Sequence, residues 1–143
     1  AQLWDVSGGV PTGGVGEDLY AQAVALTPDG SKVVALVPSS DDLGPGEVQV
    51  WDAATGVGTV RLPGRSPACA DCQAAAFALS PDGTTVALLS QRNLYENAKS
   101  EISLFDLATG DRRLVLAGLL PVYQDVRFSP DGSRLAAVHV SDR

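Results

Sequence analysis

Two cysteines three positions apart have the types and spacing that most readily suggest chemistry in this sequence. Cys69-Ala-Asp-Cys72 has the spacing of half a zinc site or of a redox pair. A structural zinc needs two more ligands, and His139 is the sole histidine, so no metal site is expected. A redox pair usually opens a helix in a β-α-β unit, which the sequence does not predict. Two interpretations stay open: a loop disulfide closing a four-residue ring, or two free thiols.

Other catalytic arrangements are missing from the sequence. Nucleophilic catalysis needs a serine or cysteine paired with a base and an orienting acid. No Gly-x-Ser-x-Gly segment occurs, and His139 is predicted to stand alone at the end of a strand. The N-terminal glycines do not form a phosphate-binding motif. We therefore expect no catalytic, cofactor-binding or metal-binding residues, and a protein that is not an enzyme.

Charge and hydropathy exclude two further classes of partner. The 143 residues include 10 Lys+Arg and 17 Asp+Glu, a net charge of −7 that repels nucleic-acid backbones. The longest nearly apolar run, Leu114 to Val122, has nine residues, whereas a helix needs about 20 to cross a bilayer. We expect neither nucleic-acid binding nor a membrane span. An oxidised cysteine pair would favour an extracytoplasmic location, and reduced thiols a cytoplasmic one.

Two short signatures recur along the chain and indicate the elements that carry these residues. A Thr/Ser-Pro-Asp-Gly turn occurs at residues 27–30, 80–83 and 129–132, and an aromatic-Asp pair occurs at residues 4–5, 51–52 and 105–106. The last two pairs are followed by Ala-Thr-Gly. In each turn, proline presets its own φ at the second position, the aspartate side chain hydrogen-bonds to nearby backbone, and glycine accepts a positive φ. The motif therefore predicts a tight hairpin. The chain is a tandem array.

Each repeat predicts four short antiparallel strands. The nearly apolar first strands (21–26 and 74–79) are expected to be covered on both faces. The third strands, Glu47 to Trp51 and Glu101 to Phe105, alternate polar and apolar residues and are expected to be half-exposed. Second and fourth strands are predicted at 32–37, 58–62 and 112–116. The sequence therefore predicts an all-β fold of four-stranded units.

Units near 50 residues with Ser-Pro-Asp-Gly before the second strand and aromatic-Asp-x-x-Thr-Gly after the third resemble the blades of WD40-like β-propellers, of a type common in bacteria. The typical Gly-His pair before the inner strand is missing. The resemblance implies the end of one blade at 1–20, blades at 21–64 and 74–118, and the start of a further blade at 122–143. Closed propellers have four to eight blades. About three blades therefore form an incomplete ring, which further blades, another chain or self-association would have to close.

In the propeller family, partners usually dock on the face formed by the loops between second and third strands and between successive blades. The resemblance places the segments 38–46, 63–73, 90–100 and 118–124 on that face. Partner-binding candidates there are Arg92, Asn93, Tyr95, Asn97, Tyr123 and Gln124. We expect a non-enzymatic interaction module or scaffold that binds a protein. The alternative is the propeller portion of a hydrolase, lactonase or peptidase-associated, TolB-like protein whose active-site residues lie outside this segment.

Overall fold

A computed structural model describes residues 1–16, 20–39, 44–65, 69–92, 98–119 and 123–139. This part of the chain is all β and contains no helix. Its strands, in chain order, are β1 (Gln2–Asp5), β2 (Val10–Gly14), β3 (Ala23–Leu26), β4 (Lys32–Val37), β5 (Glu47–Asp52), β6 (Gly58–Pro63), β7 (Gln73–Leu79), β8 (Thr85–Arg92), β9 (Lys99–Asp106), β10 (Arg112–Leu119), β11 (Tyr123–Phe128) and β12 (Leu135–His139). Among the described residues, no helix is long and apolar enough to cross a membrane.

The strands form two complete antiparallel sheets between two half-sheets. The complete sheets have the orders β3-β4-β5-β6 and β7-β8-β9-β10, and the half-sheets are the pairs β1-β2 and β11-β12. Neighbours along the chain are therefore neighbours in each sheet, as expected for strands joined by tight hairpins. The four-stranded, blade-like units predicted from the repeats are confirmed.

The Pro-Asp-Gly turns fold as their residue types require. Gly30, Gly83 and Gly132 have φ values of 71°, 73° and 72°, in the left-handed region that favours glycine. In the first turn the Thr27 hydroxyl donates to Asp29 at 2.6 Å, and the Ser31 amide donates to the same carboxylate oxygen at 3.0 Å. The turns at 80–83 and 129–132 repeat both hydrogen bonds. Each turn thus fixes the hairpin between the first and second strands of its sheet.

The apolar core lies between sheets that stack face to face. One cluster joins Val34, Leu36, Val48, Val50 and Leu62 of the first complete sheet to Phe77, Val86, Leu88 and Phe105 of the second. A second cluster packs Trp51 and Val33 against Val15, which follows β2. A third packs Ala78, Ala87, Leu89 and Ile102 against Val126 of β11. Both faces of a complete sheet therefore contact a neighbour.

This stacking overturns two expectations about burial. The third strands are not half-exposed: Gln49, Glu101 and Ser103 are buried, because a neighbouring sheet covers the face of each strand that carries its polar residues. The two first strands differ: β7 contacts a neighbouring sheet on each face, through Phe77 and Ala78, as expected, whereas β3 is largely exposed. The central strands β4 and β8 are buried along most of their length.

Candidate binding surface

The strand ends define two opposite edges of the stacked sheets. We call the edge with the Pro-Asp-Gly and Thr-Gly turns the bottom edge. The top edge is the opposite one, where β4, β8 and β12 end and β5, β9 and β11 begin. The predicted partner-binding residues that the structure describes all lie at the top edge.

A disulfide bond between Cys69 and Cys72 closes the connection that precedes β7. Both cysteines are buried, and the Cys72 amide donates to the Cys69 carbonyl at 3.2 Å. Asp71, inside this small ring, accepts from Arg92 at 3.1 Å. The Asp71 side chain is exposed while that of Arg92 is half-buried. The ion pair therefore joins the cross-linked connection to the end of β8.

Tyr123 connects the same edge to the next half-sheet. Its amide donates to the Ser100 hydroxyl of β9 at 3.3 Å. Its ring meets that of His139 edge to face, with centroids 6.0 Å apart, because the two residues are paired across β11 and β12. His139 is exposed at this edge. A polar and aromatic surface thus runs from the disulfide ring across one sheet to the next.

The predicted binding residues are only partly located. Arg92 ends β8, and Tyr123 and Gln124 begin β11, with Gln124 exposed. Asn93, Tyr95 and Asn97 lie outside the described residues. The sequence did not single out Asp71, Ser100 or the His139 ring as neighbours of these residues. Neither contact follows from strand pairing within one sheet, because Ser100 contacts Tyr123 of the next half-sheet and the Asp71 contact depends on the path of a long connection.

The crossing between the two complete sheets requires a glycine at position 64. A Cβ there would lie 2.3 Å from the Pro45 carbonyl oxygen and 2.5 Å from that of Gly46. The Gly64 amide donates to the Gly46 carbonyl at 3.1 Å, and its own carbonyl accepts from the buried Ser90 hydroxyl at 2.9 Å. These backbones therefore approach each other closely where β6 ends.

Glu101 is a buried acid beneath the top edge. The residue is 2% exposed and lies opposite Ser90 in the register of β8 and β9. The Oε1 atom has no hydrogen-bond partner among the described residues. No group of three or more potential metal ligands occurs in the described ranges of the chain.

The bottom edge carries most of the structured acids, and the turns themselves hold these carboxylates. Hydrogen bonds from the Thr27 hydroxyl and then from Ser31 lower the pKa of Asp29 to about 2. The equivalent bonds from Ser129 and Ser133 lower the pKa of Asp131 to about 2. Hydrogen bonds within their own turns also lower the pKa values of Asp5, Asp52, Asp82 and Asp106. These carboxylates stabilise turns, which leaves the top edge as the better candidate for recognition.

No protein-family model matches this chain, and no curated protein matches its sequence.

Proposed function

We propose that this chain is part of a WD40-like β-propeller that acts as a non-enzymatic protein-interaction module and binds its partner at the top edge. The repeated turns, the four-stranded sheets and their face-to-face stacking support the propeller. Each two-stranded half-sheet would then be part of a blade, and two further strands would complete that blade.

The observation that carries the binding proposal is the fixed polar and aromatic top edge. Protein-binding surfaces favour tyrosine and arginine on a rigid support, because little conformational entropy is lost on binding. Here Arg92 is fixed by Asp71, and Tyr123 is fixed by Ser100 and His139. At the bottom edge, the aspartates of the Pro-Asp-Gly turns are engaged by their own turns.

Quantitative recovery of proteins from an extract of the source organism on the immobilised chain tests this proposal. Gln124→Ala combined with Tyr95→Ala removes an exposed top-edge side chain and a second predicted partner-binding residue that lies outside the described residues, and it keeps both Arg92 and Asp71. We expect recovery of a specific partner to fall at least about fivefold, the effect of losing interface contacts worth about 1 kcal/mol.

The matched control is Val57→Ala, which removes an exposed apolar side chain at the bottom edge. This variant should recover the partner as the unchanged protein does. Circular dichroism must show the same melting curve for all three proteins. Equal recovery by the top-edge variant, or a loss caused by the control, would contradict binding at the top edge.

A further inference from the structure

The two half-sheets leave complementary strand edges. Strands β1 and β2 occupy the third and fourth positions of a sheet, as their aromatic-Asp pair shows, and β11 and β12 occupy the first and second. The complete sheets pair second with third strands, β4 with β5 and β8 with β9. Among the described residues, β12 has no partner on that side and neither has β1. Each half-sheet therefore offers the edge that the other needs.

The register of the complete sheets predicts how such edges would pair. The residue two positions after the turn glycine lies opposite the aspartate of the aromatic-Asp pair: Lys32 opposite Asp52 and Thr85 opposite Asp106. The same rule places Arg134 opposite Asp5 and Leu135 opposite Trp4. The resulting pair joins a cation to an anion, as Lys32 and Asp52 do, so charge favours this register over its neighbours.

At the β1 end, apolar side chains are exposed whose counterparts in the complete sheets are buried. Trp4 is 60% exposed, while the equivalent Trp51 and Phe105 are 7% and 1% exposed. Val6 is 97% exposed, and the equivalent Leu107 is 2% exposed. The difference arises because the faces of Trp51 and Phe105 are covered by a neighbouring sheet.

The β12 end shows the same mismatch on the opposite faces. Val138 is 55% exposed, whereas the equivalent Leu89 is fully buried. On β10, Leu116 is 38% exposed, whereas the equivalent Leu62 of the preceding sheet is fully buried against the next sheet. The two ends therefore carry apolar surfaces of the kinds that pack together within the chain.

A groove marks the place where the missing strands would lie. It has a volume of about 590 Å³ and runs between β1 and β3, lined by Leu3, Val24, Leu26 and Val33 among others. The stacking of the Pro-Asp-Gly turns points to the same empty position, because each turn glycine except the first lies against the proline of the preceding turn. A Cβ on Gly83 would meet the Pro28 ring at 3.0 Å, and one on Gly132 would meet Pro81 at 3.4 Å. The equivalent position on Gly30 meets no described atom within 4 Å.

We propose that the β11-β12 hairpin of a second copy of this chain fills this groove, with its β12 paired to β1 and Arg134 opposite Asp5. The exchange is reciprocal, so each half-sheet becomes a four-stranded sheet and two copies contain six sheets. If these sheets are propeller blades, as proposed above, six sheets lie within the range of four to eight blades that closed propellers have. The strand pairing itself does not depend on the partner proposed for the top edge.

Light scattering coupled to size-exclusion chromatography tests the pairing on the 143-residue chain. The expected particle has twice the chain mass of 14.7 kDa. Asp5→Arg and Arg134→Asp each place like charges at both junctions and should weaken association at least about tenfold. Mixing the two variants places a cation opposite an anion at both junctions and should restore the dimer. The matched control is Asp111→Arg, which reverses an exposed charge that lies on neither β1 nor β12.

Tryptophan fluorescence gives a second measurement that does not depend on hydrodynamic size. Trp4 and Trp51 are the two tryptophans, so Trp51→Phe leaves Trp4 as the reporter. Its emission should shift to the red on dilution below the dissociation constant, because Trp4 is 60% exposed in the single chain. A folded monomer throughout the concentration range overturns the proposal. So does a dimer that neither single charge reversal weakens.

Discussion

At the scale of single residues, one aspartate in each Pro-Asp-Gly turn organises the whole hairpin. Asp29 accepts from the Thr27 hydroxyl, the Ser31 hydroxyl and the Ser31 amide. Lys32 is the first residue of β4, and its amide donates to the Thr27 hydroxyl oxygen at 3.0 Å. The carboxylate therefore couples both strands of the hairpin through short hydrogen bonds at an exposed surface.

This geometry predicts a loss of stability in acid. The pKa values of Asp29 and Asp131 are about 2 in the folded chain, below the value of about 3.9 for an unfolded aspartate. Because the folded pKa is the lower one, the contribution to stability is complete above about pH 5 and is lost progressively as the pH falls through 2. Urea unfolding at a series of pH values should show the midpoint falling across this window.

The matched variant for the acid prediction is the double substitution Asp29→Asn and Asp131→Asn. It keeps an acceptor of similar shape but removes two of the titrating groups. Its midpoint should fall less steeply between pH 4 and pH 2 than that of the unchanged protein. Equal slopes in the two proteins would show that these carboxylates do not contribute to the acid dependence.

The sequence predicts the turn chemistry well because every participant lies within five residues. Thr27, Asp29 and Gly30 contact each other in the way their residue types require. The Arg92–Asp71 pair joins residues 21 positions apart and depends on how the Cys69–Cys72 ring sits over the sheet. No local pattern encodes that placement, so the sequence gives candidate binding residues without their neighbours.

At the scale of elements, both ends of the connection from β6 to β7 donate hydrogen bonds to the segment before β5. The Ala74 amide, at the start of β7, donates to the Pro45 carbonyl at 2.8 Å. Gly64, just after β6, donates to the neighbouring Gly46 carbonyl. One short segment before β5 thus receives hydrogen bonds from both ends of the connection, which links the two complete sheets at the top edge.

Gly64→Ala tests this constraint. The added methyl group would approach two backbone carbonyl oxygens and the Ala74 side chain, none of which is a flexible chain end. We expect a destabilisation of about 1–3 kcal/mol, the usual effect of overpacking a filled site. Urea unfolding followed by circular dichroism measures it. In β2, Gly13→Ala is the control, because a Cβ there meets no described atom within 4 Å and φ is not positive.

The control should change the free energy of unfolding by less than about 0.5 kcal/mol. Equal effects of the two substitutions would mean that the crossing has room for a side chain.

The strands around this crossing were predicted from sequence to within a few residues, since period-two patterns and turn residues are local signals. Burial was not predicted, because it is decided by the neighbouring sheet: Glu101 belongs to an alternating strand but is enclosed.

At the scale of the whole molecule, the sheets stabilise each other through shared apolar clusters. Leu88 of β8 is 1% exposed and belongs to the cluster that also contains Val34 and Val50 of the first complete sheet. A single sheet would expose that face to water. We infer that the two complete sheets unfold as one cooperative unit, as small single domains usually do.

Leu88→Ala tests this cooperativity in a Trp4→Phe background, in which Trp51 of the first complete sheet is the only tryptophan. Truncation of a buried leucine should lower the free energy of unfolding by about 2–5 kcal/mol. The substitution lies in the second sheet and the reporter in the first. A cooperative unit therefore predicts that Trp51 fluorescence and circular dichroism shift to the same lower urea midpoint.

Val57→Ala serves as the exposed control, and all proteins are compared at one concentration because association would add to stability. A Trp51 transition that stays in place while the circular dichroism midpoint falls would show instead that each sheet unfolds separately, in which case the shared cluster does not couple them.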